Sequence, residues 1–241
     1  QQLVEINTTD SAGSTTVASG ATVRVTGGLT LAEAFTIAGT GKPVSGVDYG
    51  ALHLVSGSST LSGIVTLSGD ANVSAASGAT LTLTGVLNGG AFNLNKTDAG
   101  TVTLSNTGNE VGLTGGTTIT AGTLSVSNDD HLAAGTITLN GGTLAITGAT
   151  TIDNAVTLPS ASTISTTANA TLSGALSGAN PLTKNGASTL TLAGSSSSHF
   201  GAVNVTAGGL TLSGGAALGN TSAVTMSAST TLIVSSNETI G

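Results

Sequence analysis

The residues of this chain with the types to do chemistry are scattered aspartates, three histidines and a few lysines. Paired carboxylates cleave glycosidic bonds when they converge on one groove at a separation that fits a sugar. Asp70, Asp98, Asp129, Asp130 and Asp153 lie instead in stretches rich in Gly, Ser and Asn. A short acidic side chain there bonds its own backbone, so they are read as turn residues. The densest polar patch, Asn128-Asp129-Asp130-His131, offers oxygens to a cation, but it lacks the GGxGxD calcium nonapeptide and is read as a solvated loop. No G-x-S-x-G elbow occurs, so nucleophile chemistry has no motif to stand on. His53 alternates with Leu52 and Leu54, which predicts that it faces solvent opposite an aliphatic core. His199 and Phe200 mark an exposed loop tip, where a rigid scaffold often carries contacts. They are the candidate contact residues, with a Phe folded over a coil corner as the alternative. Lys96 and Asp98 are expected to decorate a turn. No catalytic, metal-binding or cofactor-binding residue is expected.

The elements that must position these residues are short strands. Runs of four to six residues alternate Leu, Val or Ile with Thr or Ser, as at 22–25, 80–84, 101–104, 123–126, 143–146 and 189–192. Period-two alternation sends the aliphatics to one face and the hydroxyls to the other. Ser-Gly, Gly-Gly, Asn-Gly and Ala-Gly between the runs are turn formers. Residues 31–37 are the one place that could make a short helical turn. Strand centres Leu81, Val102, Ile119 and Ile137 are separated by 21, 17 and 18 positions, a spacing that suits one coil of a parallel β-helix. The prediction is an all-β solenoid of about a dozen coils with two or three short strands each. A single such coil cannot stand alone, so stability must come from stacking.

Composition agrees. Only 6% of the 241 residues are charged and 2% aromatic, while Gly numbers 36. Sandwiches and barrels usually fill wide cores with aromatics, whereas a narrow β-helix needs small aliphatics and Gly corners. A mean hydropathy of +0.37 comes from short alternating runs, without the roughly 18 consecutive apolar residues of a membrane-spanning helix. The aliphatic, β-branched content is also unlike that of disordered chains. A net charge of −7 and the single arginine, Arg24, exclude the basic footprint that nucleic acid demands. With no linker rich in proline or charge, residues 1–241 are assigned to one domain. Both ends look uncapped, so the chain is expected to be a segment of a longer protein or a subunit that stacks end to end.

One stretch recurs. Residues 94–126 and 182–212 both begin Leu-x-Lys, run into a Thr-alternating strand, cross a polar loop and close on Ala-Gly before another strand. Lys96 and Lys184 are 88 positions apart, Ala121 and Ala207 86. The echo extends outward, giving internal units at approximately 65–146 and 156–234. The variable part is the loop at 106–114, which becomes 195–200 in the second copy.

Leu94-Asn-Lys-Thr-Asp-Ala-Gly-Thr-Val-Thr-Leu followed by Gly115-Gly-Thr-Thr-Ile-Thr-Ala-Gly-Thr-Leu resembles the passenger-associated transport repeat of bacterial autotransporters and related giant surface proteins. The resemblance implies a right-handed parallel β-helix displayed outside a bacterial cell, on the outer surface or secreted, in adhesion, biofilm, surface-layer or filament roles. It implies scaffold rather than enzyme. The expected function is a non-catalytic rigid rod whose partners are other copies of itself, neighbouring repeat segments, glycans or host surfaces, with no nucleic acid and no cofactor. Two alternatives stand behind it. Outward Thr-x-Thr pairs such as Thr80/Thr82 and Thr101/Thr103 resemble the ice-binding face of some β-helical antifreeze proteins, although uneven coil lengths would break a regular lattice. A carbohydrate-active β-helix would require aspartates from separate coils to converge.

Overall fold

The alternating runs form strands because each can bury one side only by lying against another strand's aliphatic side. The computed structural model describes residues 3–6, 13–44, 47–194, 198–219 and 222–235. It is a parallel β-solenoid of about ten turns with three sheets, close to the expected dozen. The chain divides into two compact units, residues 1–125 with 130–134 and residues 126–129 with 135–241.

In the first unit, one face stacks Leu3–Ile6, Thr22–Val25, Leu52–Leu54, the end of Val65–Ala75, Leu94–Thr97 and Thr117–Ile119. A second face stacks Thr30–Leu31, Ser58–Leu61, Thr80–Leu83, Thr101–Leu104 and Thr123–Val126. The third carries Ser14–Val17, Ala34–Gly39, the start of Val65–Ala75 and Leu87–Asn88. Val65–Ala75 serves two faces: Val65 to Leu67 pairs with Ala34–Gly39, and the register shifts before Ala71, where the strand turns the corner. The corner is held by side chains. Asn93 N donates to Asp70 Oδ1 at 2.8 Å, and Gly116 N to Asn93 Oδ1 at 2.7 Å. The Asx residues thus supply acceptors where the backbone ladder breaks.

The second unit has three faces of its own. They are Ile137–Leu139 through Val156–Thr157 and Leu176–Gly178 to Ser198–His199; Thr143–Ile146 through Ser162–Thr166, Leu182–Asn185 and Val203–Val205 to Val224–Met226; and Thr151–Ile152 through Ala170–Leu172, Thr189–Leu192 and Gly209–Leu212 to Thr231–Val234. Pleating puts Leu144, Ile164 and Val205 in one interior rank and Leu172, Leu192 and Leu212 in another, all buried. Each such side chain is worth about 2 kcal/mol when removed from water.

Three expectations are corrected. Leu81 pairs with Val102 and Val102 with Leu124, so a coil takes 21 or 22 positions there. Ile119 belongs to a different face, which is why the shorter spacings misled. Residues 31–37 are not helical: Thr30–Leu31 and Ala34–Gly39 are strands, because Phe35 and Ile37 alternate inward and pairing overrides local helix propensity. The first-unit loop holds an unforeseen one-turn helix, Asn109–Gly112. Its Asn109, fully buried, stands in for a strand: Oδ1 accepts from Leu87 N and Nδ2 donates to His131 O, both at 2.8 Å.

One coil carries an excursion. Beyond a Gly41/Gly50 bridge, Pro43–Val44 pairs antiparallel with Val47–Asp48. Thr22, 1% exposed, clamps its base. Its Oγ1 donates to Gly50 O at 2.8 Å and accepts from Lys42 N at 2.7 Å.

Candidate functional site

The lysines of the repeat are not on the surface. In Leu94–Thr97 the pleat sends Leu94 and Lys96 to the same side, and Lys96 takes its place in an interior rank between Val73 and Ile119. Lys184 does the same between Ile164 and Val205. Both are completely buried, which corrects their reading as turn decoration. A buried ammonium survives only if its donors are met. Lys96 Nζ donates to Thr97 O at 2.8 Å, Asp98 O at 2.7 Å and Ala121 O at 3.0 Å. Lys184 Nζ donates to Asn185 O at 2.8 Å, Gly186 O at 2.9 Å and Ala207 O at 3.0 Å. The three donors of each ammonium meet three backbone acceptors at the same sequence offsets but for the length of the intervening loop.

The lysine, the two residues after it and the Thr-Ala-Gly of each copy all have a part in this cage. The residue two beyond the lysine is left-handed, Asp98 at φ 62° and Gly186 at φ 82°, which brings its carbonyl to Nζ. One coil later, the Thr of Thr-Ala-Gly caps the lysine's own carbonyl: Thr120 Oγ1 reaches Lys96 O at 3.1 Å and Thr206 Oγ1 reaches Lys184 O at 3.0 Å. The Ala supplies the third acceptor. The Gly, at φ 61° in Gly122 and 69° in Gly208, packs on the turn below, where a Cβ would lie 2.5 Å from Asp98 O or Gly186 O. Burial lowers the pKa of both lysines to about 8, with the nearby Asp98 carboxylate opposing the fall at Lys96. At neutral pH both are ammonium ions joining two successive turns.

Around the first cage stands a cluster of polar residues. His53, Ser74 and Thr97 are register partners on the outer side of the first face, with Arg24 next along. His53 is nevertheless only 2% exposed. The predicted solvent exposure fails because Tyr49, returning from the excursion, lies over it with ring centroids 4.6 Å apart. His53 Nδ1 is 2.7 Å from Ser74 Oγ, and Ser74 Oγ donates to Tyr49 O. Because a carbonyl can only accept, the serine spends its proton there and Nδ1 is the protonated nitrogen. Asp98 Oδ2 lies 3.9 Å from the same Nδ1. Burial lowers the His53 pKa, against the pull of Asp98 and with the push of Arg24. Ser, His and Asp are therefore together, but serine and carboxylate address one ring nitrogen rather than opposite ones. Ser74 is also fully buried, so this is not a nucleophile triad.

Of the remaining candidates, Asp129 and Asp153 of the second unit come together, with carboxylate oxygens within 4.8 Å of each other. Asp153 N donates to Asp129 Oδ1 at 3.3 Å, a local bond within the second unit. His131 is buried, and its pKa is lowered by burial against the opposing effects of the Leu104 backbone and Asp130. His199 and Phe200 do not share a surface: His199 is fully buried on a short strand, while Phe200 is 55% exposed. The Phe200 ring lies where a Cβ on Gly219 would be, at 2.7 Å. Neither His199 ring nitrogen makes a hydrogen bond of normal geometry. Burial lowers its pKa, with smaller opposing effects from the Gly178 and Gly201 backbone. The neighbouring loop positions 195–197 lie outside the described residues. No pocket opens among the described residues. The buried lysines were within reach of the sequence, since Leu-x-Lys at period two places the lysine beside an inward leucine. Nothing local foretold Tyr49 over His53.

A parallel β-solenoid with a buried lysine cage in each of two repeats defines the class. The family model of the passenger-associated-transport-repeat matches residues 94–126 and 182–216, so the chain carries two copies of the repeat found in autotransporter passenger-type proteins. No curated protein and no solved structure matches the chain. No helix among the described residues is long and apolar enough to cross a membrane.

Proposed function

We propose that this chain is a non-catalytic, rigid segment of a bacterial surface or secreted passenger, acting in adhesion, biofilm, surface-layer or filament assembly. The observation that carries this reading is where the reactive side chains go. The lysines of both repeats spend all three donors on backbone carbonyls, and the one Ser-His-Asp group is internal. The outer positions of strands such as Thr80–Leu83 and Thr101–Leu104 carry hydroxyls in register. Its partners are other copies, neighbouring repeat segments, glycans or a host surface, and its place is outside the cell. The test is to display the full chain on bacteria through a heterologous translocator and measure cell–cell and cell–substrate attachment, together with hydrolysis of a polysaccharide panel. Increased attachment without hydrolysis is the expected result. Polysaccharide turnover, or attachment equal to that of a translocator alone, overturns the reading.

A second reading, ice binding, is favoured by the register in the first unit. Thr30, Thr60, Thr82, Thr103 and Ser125 form one rank, and Ser58, Thr80, Thr101 and Thr123 a parallel one. These ranks are charge-free and lie on strands about 4.8 Å apart. Thermal hysteresis that disappears in Thr82→Lys/Thr103→Lys supports it, and ice crystals growing unaltered in the presence of the protein dismiss it.

A further inference from the structure

Beyond that scaffold role, the covered polar cluster of the first unit has the form of a joint that responds to protons. His53 is enclosed from every side by identifiable groups. Arg24 faces it from Thr22–Val25, Ser74 from the end of Val65–Ala75, Thr97 and Asp98 from the strand and turn beyond, and Tyr49 from above. Lys96 lies in the interior rank beneath and is held by the carbonyl of the same Asp98. The contacts Nδ1–H to Ser74 Oγ and Ser74 Oγ to Tyr49 O form a chain that ties Tyr49 to the coil. Nearby, Arg24 Nε is a buried donor without a hydrogen-bond partner, so the cluster already holds one cationic group whose donors are not all met.

We propose that His53 is a proton-operated latch: adding a proton to its ring releases Tyr49 from the coil while the strands beneath keep their pairing. Charging the imidazole places a second cation beside Arg24 under a covering aromatic ring, and only Asp98, 3.9 Å away, offsets it. Exposing the ring to water is the cheapest relief, and that requires Tyr49 to move. The direction of titration agrees, since burial holds the folded His53 below its ordinary value. No counterpart exists in the second copy, where Gly186 stands at the position of Asp98.

The test uses the full chain. Tyr49 is its only tyrosine and there is no tryptophan, so intrinsic emission, near-ultraviolet circular dichroism and acrylamide quenching of that emission report largely on this contact. Lowering the pH from neutral is expected to raise Tyr49 accessibility in a one-proton step below about 6.5, with the open-to-closed ratio changing about tenfold per pH unit. Far-ultraviolet dichroism should stay native across that step. His53→Asn retains a donor to Ser74 without a titrating ring and should abolish the step. Asp98→Asn removes the anion that offsets the charged ring in the closed state, and should make the release in acid more complete without moving the step to lower pH. The proposal is overturned if Tyr49 accessibility stays flat across the acid range in which the sheets remain intact. It is equally overturned if the step persists in His53→Asn, if Asp98→Asn moves it to lower pH, or if the sheets melt together with it.

Discussion

Lys96 and Lys184 meet the same set of backbone acceptors at nearly the same distances, yet the two cages are set differently. In the first, the left-handed residue is Asp98, whose Oδ1 accepts from its own Ala99 N at 2.7 Å while Oδ2 faces His53. In the second it is Gly186, with no side chain to spend. The backbone requirement is the same in both, and glycine meets it without a Cβ. Aspartate meets it at some steric cost, offset by the hydrogen bond, and brings a charge that reaches His53, two coils away. The repeat therefore specifies the cage, while the identity of one turn residue decides whether the cage communicates with titratable neighbours.

Removing the lysine should have the largest effect. Lys184→Ala leaves a cavity and three carbonyls without their donor, and should cost about 3–5 kcal/mol. Lys96→Ala should cost a similar amount, both read from the shift in urea midpoint. Lys→Met, which restores volume but not donors, should recover part of this loss. If the hydrogen bonds of the cage were incidental, Lys→Met would recover the whole loss. Next come the glycines of Thr-Ala-Gly. Gly208→Ala and Gly122→Ala force a side chain onto left-handed backbone with an oxygen 2.4 Å from the new Cβ, and should cost about 2–3 kcal/mol. Equal losses at the two sites would confirm that the cages are equivalent in this part.

Titration separates them. His53, His131 and His199 all have lowered pKa values, mainly from burial. The folded chain thus binds fewer protons than the unfolded one just below about 6.5, and stability should fall as the pH is lowered through that window, by at most about 1.4 kcal/mol per pH unit for each group. Both lysines titrate near 8 when folded, against 10.5 for the ordinary side chain. Between those values the unfolded chain again holds more protons, so stability should rise with pH over that alkaline range. Denaturant midpoints measured from acid to alkaline pH check both signs. The smallest effect is the exchange itself. Asp98→Gly should change stability by less than about 1 kcal/mol, since relief of a left-handed aspartate offsets a lost local hydrogen bond. It should also lower the pKa of both Lys96 and His53, measurable by NMR titration.

Much of the fold was legible in the sequence because a narrow solenoid leaves its signature in neighbouring residues. Thr101–Leu104 shows its two faces in four letters, and the echo of Leu-x-Lys and Ala-Gly marked the repeat. The cage itself was half legible: alternation placed Lys96 beside Leu94, but the habit of treating lysine as a surface residue obscured that position. His53 shows the opposite failure. Alternation put it on the outer side of the pleat, and its burial came from Tyr49, which reaches it across an excursion from the coil. Asn109 was hidden for a related reason, since a side chain replacing a strand's backbone carries no periodic signal.

The sequence by itself determined the strands, the turns between them, the parallel coil and the repeat, because these depend on side-chain alternation and on which residues tolerate left-handed backbone. Only the tertiary structure decided that the repeat's lysines are internal cross-links, that Asp98 joins one of them to a covered histidine, and that His199 and Phe200 part to opposite sides. Those outcomes rest on contacts between coils, such as Lys96 Nζ with Ala121 O and Lys184 Nζ with Ala207 O, on a ring laid back over its own coil, and on the burial that raises the cost of any polar group left without a partner.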